Sequence, residues 1–278
     1  MTSAFYERLA GGWNLNGSLL CVGLDPNQAK MPGRLTSKPA SLFEFNREII
    51  DATAPYVCGY KPQIAYYAAL SAEKALEQTI DYIKTHHSHL PVILDAKRGD
   101  IGATAKMYAI EAFERYQADA VTVNPYMGGD TLEPFLEYKD RGVIILCRTS
   151  NPGSGDLQQL SVDGASIAHI VAAKAAQEWN ENENIALVVG ATYPEEIRSI
   201  RKIVGDMPLL IPGVGAQGGD LTAVLNNGLT SSGSGLMINA SRSIIHASSE
   251  HDFAHQAALV AEKLYKQINE IRSSIQAK

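Results

Sequence analysis

Asp95, Lys97 and Asp100 crowd into the segment Pro91-Val-Ile-Leu-Asp-Ala-Lys-Arg-Gly-Asp-Ile-Gly-Ala-Thr104, directly after an apolar run. Val92, Ile93 and Leu94 favour a short buried strand. Charges at the end of such a strand are costly to bury unless they pair or act on something. Side chains alternate along an extended chain, so Asp95 and Lys97 are expected to point to the same side. Gly99 and Gly102 bracket Asp100 and let the backbone turn into a helix beginning near Ala103. A salt bridge plus a helix-capping aspartate would explain the three charges in isolation. Their spacing and the rest of the chain reverse that preference and favour groups that act on something.

A second constellation is Ile211-Pro-Gly-Val-Gly-Ala-Gln-Gly-Gly-Asp220. Its glycines, Gly213 and Gly215 among them, let backbone N–H groups approach an anion, and the helix start that follows adds a favourable dipole. A flexible connector has the same composition. Arg242, in the next unit, supplies a fork suited to phosphate and favours the anion reading. Thr149-Ser150-Asn151 offers uncharged hydroxyl and amide groups that suit a planar heterocycle. Turn chemistry at Asn151-Pro152-Gly153 explains that loop equally well. His86-His87-Ser88-His89 reads as a polar connector, because no carboxylate or cysteine partner stands at ligand spacing. No metal site is expected.

These residues need a frame. Eight apolar runs predict strands at 18–25, 56–61, about 92–94, 120–125, 142–148, 185–191, 208–213 and 235–241. Helical patterns alternate with them, at 3–14, from Ser41, and over 64–86, 103–117, 131–139, 165–180, 194–204, 220–227 and 251–275. Strands apolar on both faces imply a parallel sheet covered by helices. Eight such units in 278 residues fit an α/β fold of the closed (β/α)8 TIM-barrel type, a single domain over 1–278, better than an open doubly wound sheet. Periodicity alone does not show closure. The unusual residues Asp25, Lys61, Asp95, Lys97, Asn124, Arg148, Gly213 and Arg242 all fall at strand C-terminal ends, the face on which barrel enzymes place their sites. Scattered surface charge does not explain that set, although it remains a fair account of Arg148 alone.

Composition narrows the partners. With 45% hydrophobic and 19% charged residues the chain can build a sizeable core. A net charge of −6 argues against a protein that coats nucleic acid. No apolar stretch reaches membrane-span length, and the N-terminal residues lack the order of a signal peptide. Cys21, Cys58 and Cys147 lie in apolar runs, as buried thiols of a cytoplasmic protein do.

At this point the residues resemble the orotidine 5′-phosphate decarboxylase family. Asp95-Ala-Lys97-Arg-Gly-Asp100-Ile looks like its Asp-x-Lys-x-x-Asp signature, which phosphosugar relatives share. The match extends through Leu24-Asp25-Pro26, Lys61, Thr149-Ser150-Asn151-Pro152-Gly153, Pro212-Gly-Val-Gly-Ala-Gln217-Gly-Gly219 and Ser241-Arg242. The combination with Lys61, Ser150 and Gln217 is the specific part. Loops 26–40 and 149–160 mark the longer branch of the family.

The resemblance implies a cofactor-free decarboxylation of orotidine 5′-phosphate to UMP and carbon dioxide, in a homodimer with shared active sites. Lys61, Asp95 and Lys97 would form a charged row with Asp100 of the other subunit. Asp25 and Lys61 would hold the ribose hydroxyls, joined by Thr104 from the other subunit. Ser150 would read the pyrimidine, Gln217 would close over substrate, and Arg242 would take the phosphate. Lys97 would stabilise the developing carbanion and then donate its proton. The rivals are a magnesium-dependent phosphosugar decarboxylase or aldolase on the same signature, a Schiff-base aldolase using Lys61 or Lys97, and a catalytically silent nucleotide-binding barrel.

Overall fold

In a computed structural model that describes residues 4–35, 41–214 and 219–277, the apolar runs become strands buried on both faces. They are β1 (Leu20–Leu24), β2 (Gly59–Pro62), β3 (Ile93–Arg98), β4 (Ala120–Val123), β5 (Gly142–Arg148), β6 (Ile185–Val189), β7 (Leu209–Pro212) and β8 (Leu236–Ala240). Every residue of β1, β4, β6 and β8 is buried. All pairings among these eight strands are parallel, in the order β2-β1-β8-β7-β6-β5-β4-β3. Bridges Tyr60↔Val92 and Gln63↔Asp95 join β2 to β3 and bring the sheet round into a barrel. The expected (β/α)8 architecture is therefore present, and an open sheet is excluded.

Helices cover the outside because each carries one apolar face. Helix Ser41–Thr53 meets the last helix, Phe253–Gln276, where the rings of Phe45 and Phe253 stack at 5.1 Å. No helix among the described residues is long and apolar enough to cross a membrane.

Several boundaries differ from the sequence expectation, each for a local reason. The predicted helix 64–86 is two helices, Ile64–Ala68 and Glu73–His86, broken where Ser71 takes φ +50°. Tyr56 lies in the 3-10 turn Ala54–Tyr56, which Pro55 opens, so β2 starts later than expected. Residues Ala165–Ser166 pair antiparallel with Ser161–Val162, and the next helix begins at Ile167. The helix after β3 runs Gly102–Ile110 and then loosens into a π-helical turn, Glu111–Arg115. In that turn Glu111 receives a two-pronged bond from Arg98. Around 131–139 there is only a 3-10 turn and the short helix Glu133–Leu136.

Charge is buried at both poles of the barrel. At the N-terminal pole, Asp119 precedes β4 and accepts from Val92 N at 2.9 Å. It also pairs with Arg8, and lies 3.5 Å from both Lys84 and Arg141. The rest of the unusual chemistry gathers at the opposite pole.

Candidate active site

Asp95 is the hub of that pole. It lies on β3 beside β2, whose Lys61 sends Nζ to within 2.7 Å of Asp95 Oδ2. Lys97 Nζ takes the other oxygen, Oδ1, at 2.6 Å. Thr122 on β4 donates its hydroxyl to that same Oδ1 at 2.9 Å. The carboxylate is thus bonded on both sides while nearly withdrawn from water. Burial pushes the Asp95 carboxyl upward, but Lys61 and Lys97 outweigh it and hold it well below the usual carboxylate range. Burial likewise drives Lys61 down, and the charges of Asp95 and Asp25 more than restore it, leaving its ammonium favoured.

The expected same-side placement of Asp95 and Lys97 is present, on a backbone that is not regular strand. Lys97 has φ +47°, and the register of β3 against β4 shifts between Leu94 and Arg98. Thr122 Oγ1 accepts from both Ala96 N, at 3.0 Å, and Lys97 N, at 2.9 Å. Sequence reasoning missed Thr122. A threonine in Ala120-Val-Thr-Val123 reads as ordinary β-favouring filler.

Asp100 does not join the row within this chain. It has no ion pair with Lys61 or Lys97 among the described residues, and its Oδ1 accepts from Ile101 N at 2.8 Å. Thr104, on the helix that follows, is exposed. Around the same rim Asp25, just past β1, presents a buried Oδ1 with no hydrogen-bond partner among the described residues. Asn239 on β8 also has a buried Oδ1 unpartnered among the described residues, and sequence reasoning overlooked it. Orphaned buried acceptors facing a site are what a polyhydroxylated ligand satisfies.

Ser150 follows β5 and lies against Gly190, just past β6. A β-carbon at position 190 would fall 2.9 Å from the Ser150 β-carbon, so only glycine allows the approach. Arg148 is corrected: it is not surface charge. It is fully buried, stacks over Tyr193 at 4.1 Å and bonds Glu196 at 2.6 Å. It also reaches Ser154, and Gln158 at 3.3 Å, so it ties down the loop that carries Ser150. In that loop Thr149 donates to Asn151 at 2.7 Å, and its N–H meets Gln158 at 2.8 Å.

Gly213 takes φ +96°, a conformation that favours glycine, and its carbonyl accepts from Gly219 N at 3.3 Å. Gly215 and Gln217 lie outside the described residues. The helix after this loop, Leu221–Gly228, is capped by Asp220, which accepts from Thr222 N at 2.8 Å and Ala223 N at 3.2 Å. That carboxylate caps the helix start at which the sequence reading expects a dipole contribution to anion binding. Arg242, just past β8, is exposed and carries no ion pair among the described residues. All three cysteines are buried and free, with burial pushing the Cys21 and Cys147 thiols up to about 12.

A parallel barrel with an Asp–Lys hub at its C-terminal pole and an arginine after the eighth strand is the frame of a barrel enzyme acting on a phosphorylated substrate. Comparison with known proteins gives the same answer more narrowly. Residues 18–257 match the model of the Orotidine 5′-phosphate decarboxylase / HUMPS family. The chain belongs to this family. It is 57% identical over 272 residues to the orotidine 5′-phosphate decarboxylase of Cellvibrio japonicus, covering 97% of this chain and 100% of that one. It is 58% identical over 268 residues to the enzyme of the same name from Cupriavidus necator, covering 96% and 98%. Among solved structures it superposes on the OMP decarboxylase of Leishmania donovani with a TM-score of 0.85, at 39% identity, over 98% of this chain and 99% of that one.

Proposed function

We propose that this chain converts orotidine 5′-phosphate to UMP and carbon dioxide in pyrimidine synthesis, with Lys97 as proton donor. The observation that carries the reading is the sharing of Asp95 between Lys61 and Lys97, at 2.7 and 2.6 Å. Loss of carbon dioxide breaks the bond between the pyrimidine ring and its carboxylate, and leaves the electron pair on the ring carbon. An ammonium fixed beside that carbon stabilises the charge as it develops, without reorganisation during the reaction. The Lys97 proton then forms the new C–H bond, and the amine is later reprotonated from solvent. Asp95 orients Lys97 and stays ionised throughout.

Asp25 and Lys61 hold the ribose hydroxyls, a role the unpartnered Asp25 oxygen supports. Ser150 reads the pyrimidine, on a loop that Arg148 secures. Gly213, Gly215, Gln217 and Arg242 take the phosphate. Its binding energy lies remote from the breaking bond and is available to organise the site. No cofactor enters this scheme.

The active form is a homodimer in which Asp100 and Thr104 serve the other subunit's site. The bonding of Asp100 Oδ1 to Ile101 N, with Lys97 paired to Asp95 instead, and the exposure of Thr104 support that arrangement. So do the exposed apolar residues Ile101 and Met107 of the same βα unit and Tyr126 and Met127 of the next one. The three buried free thiols fit the reducing cytoplasm.

The test is release of carbon dioxide from orotidine 5′-phosphate by the wild-type chain after exhaustive chelation, beside Lys97→Ala. The wild type is expected to turn over undiminished. The variant should lose at least about 10²–10⁴-fold in kcat, the range of a general acid, while still binding UMP. Metal-dependent turnover would favour a phosphosugar-type enzyme instead, and near-normal turnover by Lys97→Ala would remove that residue from the chemistry.

A further inference from the structure

Thr122 makes three hydrogen bonds with one buried oxygen. Oγ1 accepts from Ala96 N at 3.0 Å and from Lys97 N at 2.9 Å, and its proton goes to Asp95 Oδ1 at 2.9 Å. A hydroxyl has one proton and two lone pairs, so this one is fully used. The side chain is wholly buried. Its three partners are three consecutive residues, and the first and last of them are Asp95 and Lys97.

The backbone there is irregular. Lys97 has φ +47°, a region that residues with a β-carbon seldom adopt. The register of β3 against β4 slips between Leu94 and Arg98 and is regained where Asn124 N bonds Arg98 O at 2.7 Å. Within the slip, the hydroxyl of Thr122 accepts from two consecutive N–H groups, which in a regular strand would point to opposite neighbours. The same bulge brings Lys97 Nζ back to Asp95 Oδ1, the oxygen that Thr122 also bonds.

We propose that Thr122 is a positioning residue: its hydroxyl holds the bulge in β3 that sets the Asp95–Lys97 geometry for proton delivery. This rests on the decarboxylase reading above and names a further residue on which that chemistry depends. Thr122→Val keeps the shape and removes the oxygen, leaving the half-buried Ala96 and Lys97 N–H groups without their acceptor and Asp95 Oδ1 short of a donor. The bulge then relaxes and Lys97 Nζ shifts. A misplacement of about 1 Å costs on the order of 100-fold in rate.

The experiment compares wild type, Thr122→Val and Thr122→Ser for kcat and KM on orotidine 5′-phosphate, and for UMP affinity. Thr122→Val is expected to lose about 100-fold in kcat. Its KM and UMP affinity should stay within roughly threefold, because an interaction made only in the transition state is lost. Thr122→Ser keeps the hydroxyl and should retain kcat within roughly threefold of wild type. Unchanged kcat in Thr122→Val overturns the proposal. So does an equal loss in Thr122→Ser, which would assign the effect to side-chain volume, or a parallel collapse of UMP binding, which would assign it to general disruption. Should circular dichroism show Thr122→Val unfolded, Thr122→Ala is judged by the same criteria. A wild-type chain that releases no carbon dioxide would instead overturn the decarboxylase reading itself.

Discussion

Lys61 Nζ lies 2.7 Å from Asp95 Oδ2 with the two side chains only 5% and 9% exposed. A pair so withdrawn is costly to assemble and more costly to break, because removing one partner leaves the other charge buried. It also makes the two groups interdependent, since each holds the other in its charged form.

The first prediction concerns acid and alkaline stability. The Asp95 pKa is depressed on folding, so its stabilising contribution is present above the unfolded value of about 3.9 and is lost as acid approaches the lower folded value. The Lys61 pKa is raised on folding, so its contribution is present below about 10.4 and is lost as the pH rises through the higher folded value. Asp95→Asn should therefore abolish turnover and destabilise the chain by about 3–5 kcal/mol near neutral pH. Thermal unfolding across pH should show that deficit shrinking at the acid end. A deficit of under about 1 kcal/mol at pH 7, the scale of an exposed pair, would contradict the buried-pair account.

The second prediction tests the shared site. Lys97→Ala and Asp100→Ala dimers should each be nearly inactive. If the two chains are unfolded together and refolded as a mixture, half of the dimers are mixed, and each carries one doubly damaged site and one intact site. Activity should recover to about a quarter of wild type by this two-fold symmetry count. No recovery, with chain exchange verified by mass-tagged subunits, would place Asp100 in its own chain's site.

A third prediction separates the two poles of the barrel. Asp119 draws Arg8, Lys84 and Arg141 together at the N-terminal end, far from the strand C-termini that carry Lys97. Asp119→Asn should lower stability by about 3 kcal/mol, since three cations lose their shared carboxylate. It should leave kcat within about twofold, because that pole serves stability in such barrels. Calorimetry and a turnover assay on one preparation decide it; a large kcat loss at unchanged stability would refute the division.

The chain's own residues determined much of this without a structure. Eight apolar runs spaced by helical patterns can bury both faces only in a helix-covered parallel sheet, and that placed Asp25, Lys61, Asp95 and Arg242 on one rim. The barrel itself came from pairings no local pattern contains, such as Tyr60 to Val92 and Gln63 to Asp95. Asp95 and Lys97 were expected together from strand alternation, and they are together. Their contact, however, is made through a bulge with Lys97 at φ +47°. That conformation depends on a hydroxyl from the neighbouring strand, contributed 25 residues later in the chain. Thr122 was invisible for the same reason, since a threonine signals nothing until its three partners are brought round it. Arg148 shows the converse. Its charge suggested solvent, and only packing against Tyr193, Glu196 and the 149–160 loop reveals it as buried. Residue type and spacing decide which groups reach one end of a barrel. Which of them are buried, paired or left open depends on partners distant in sequence, and only tertiary structure brings these together.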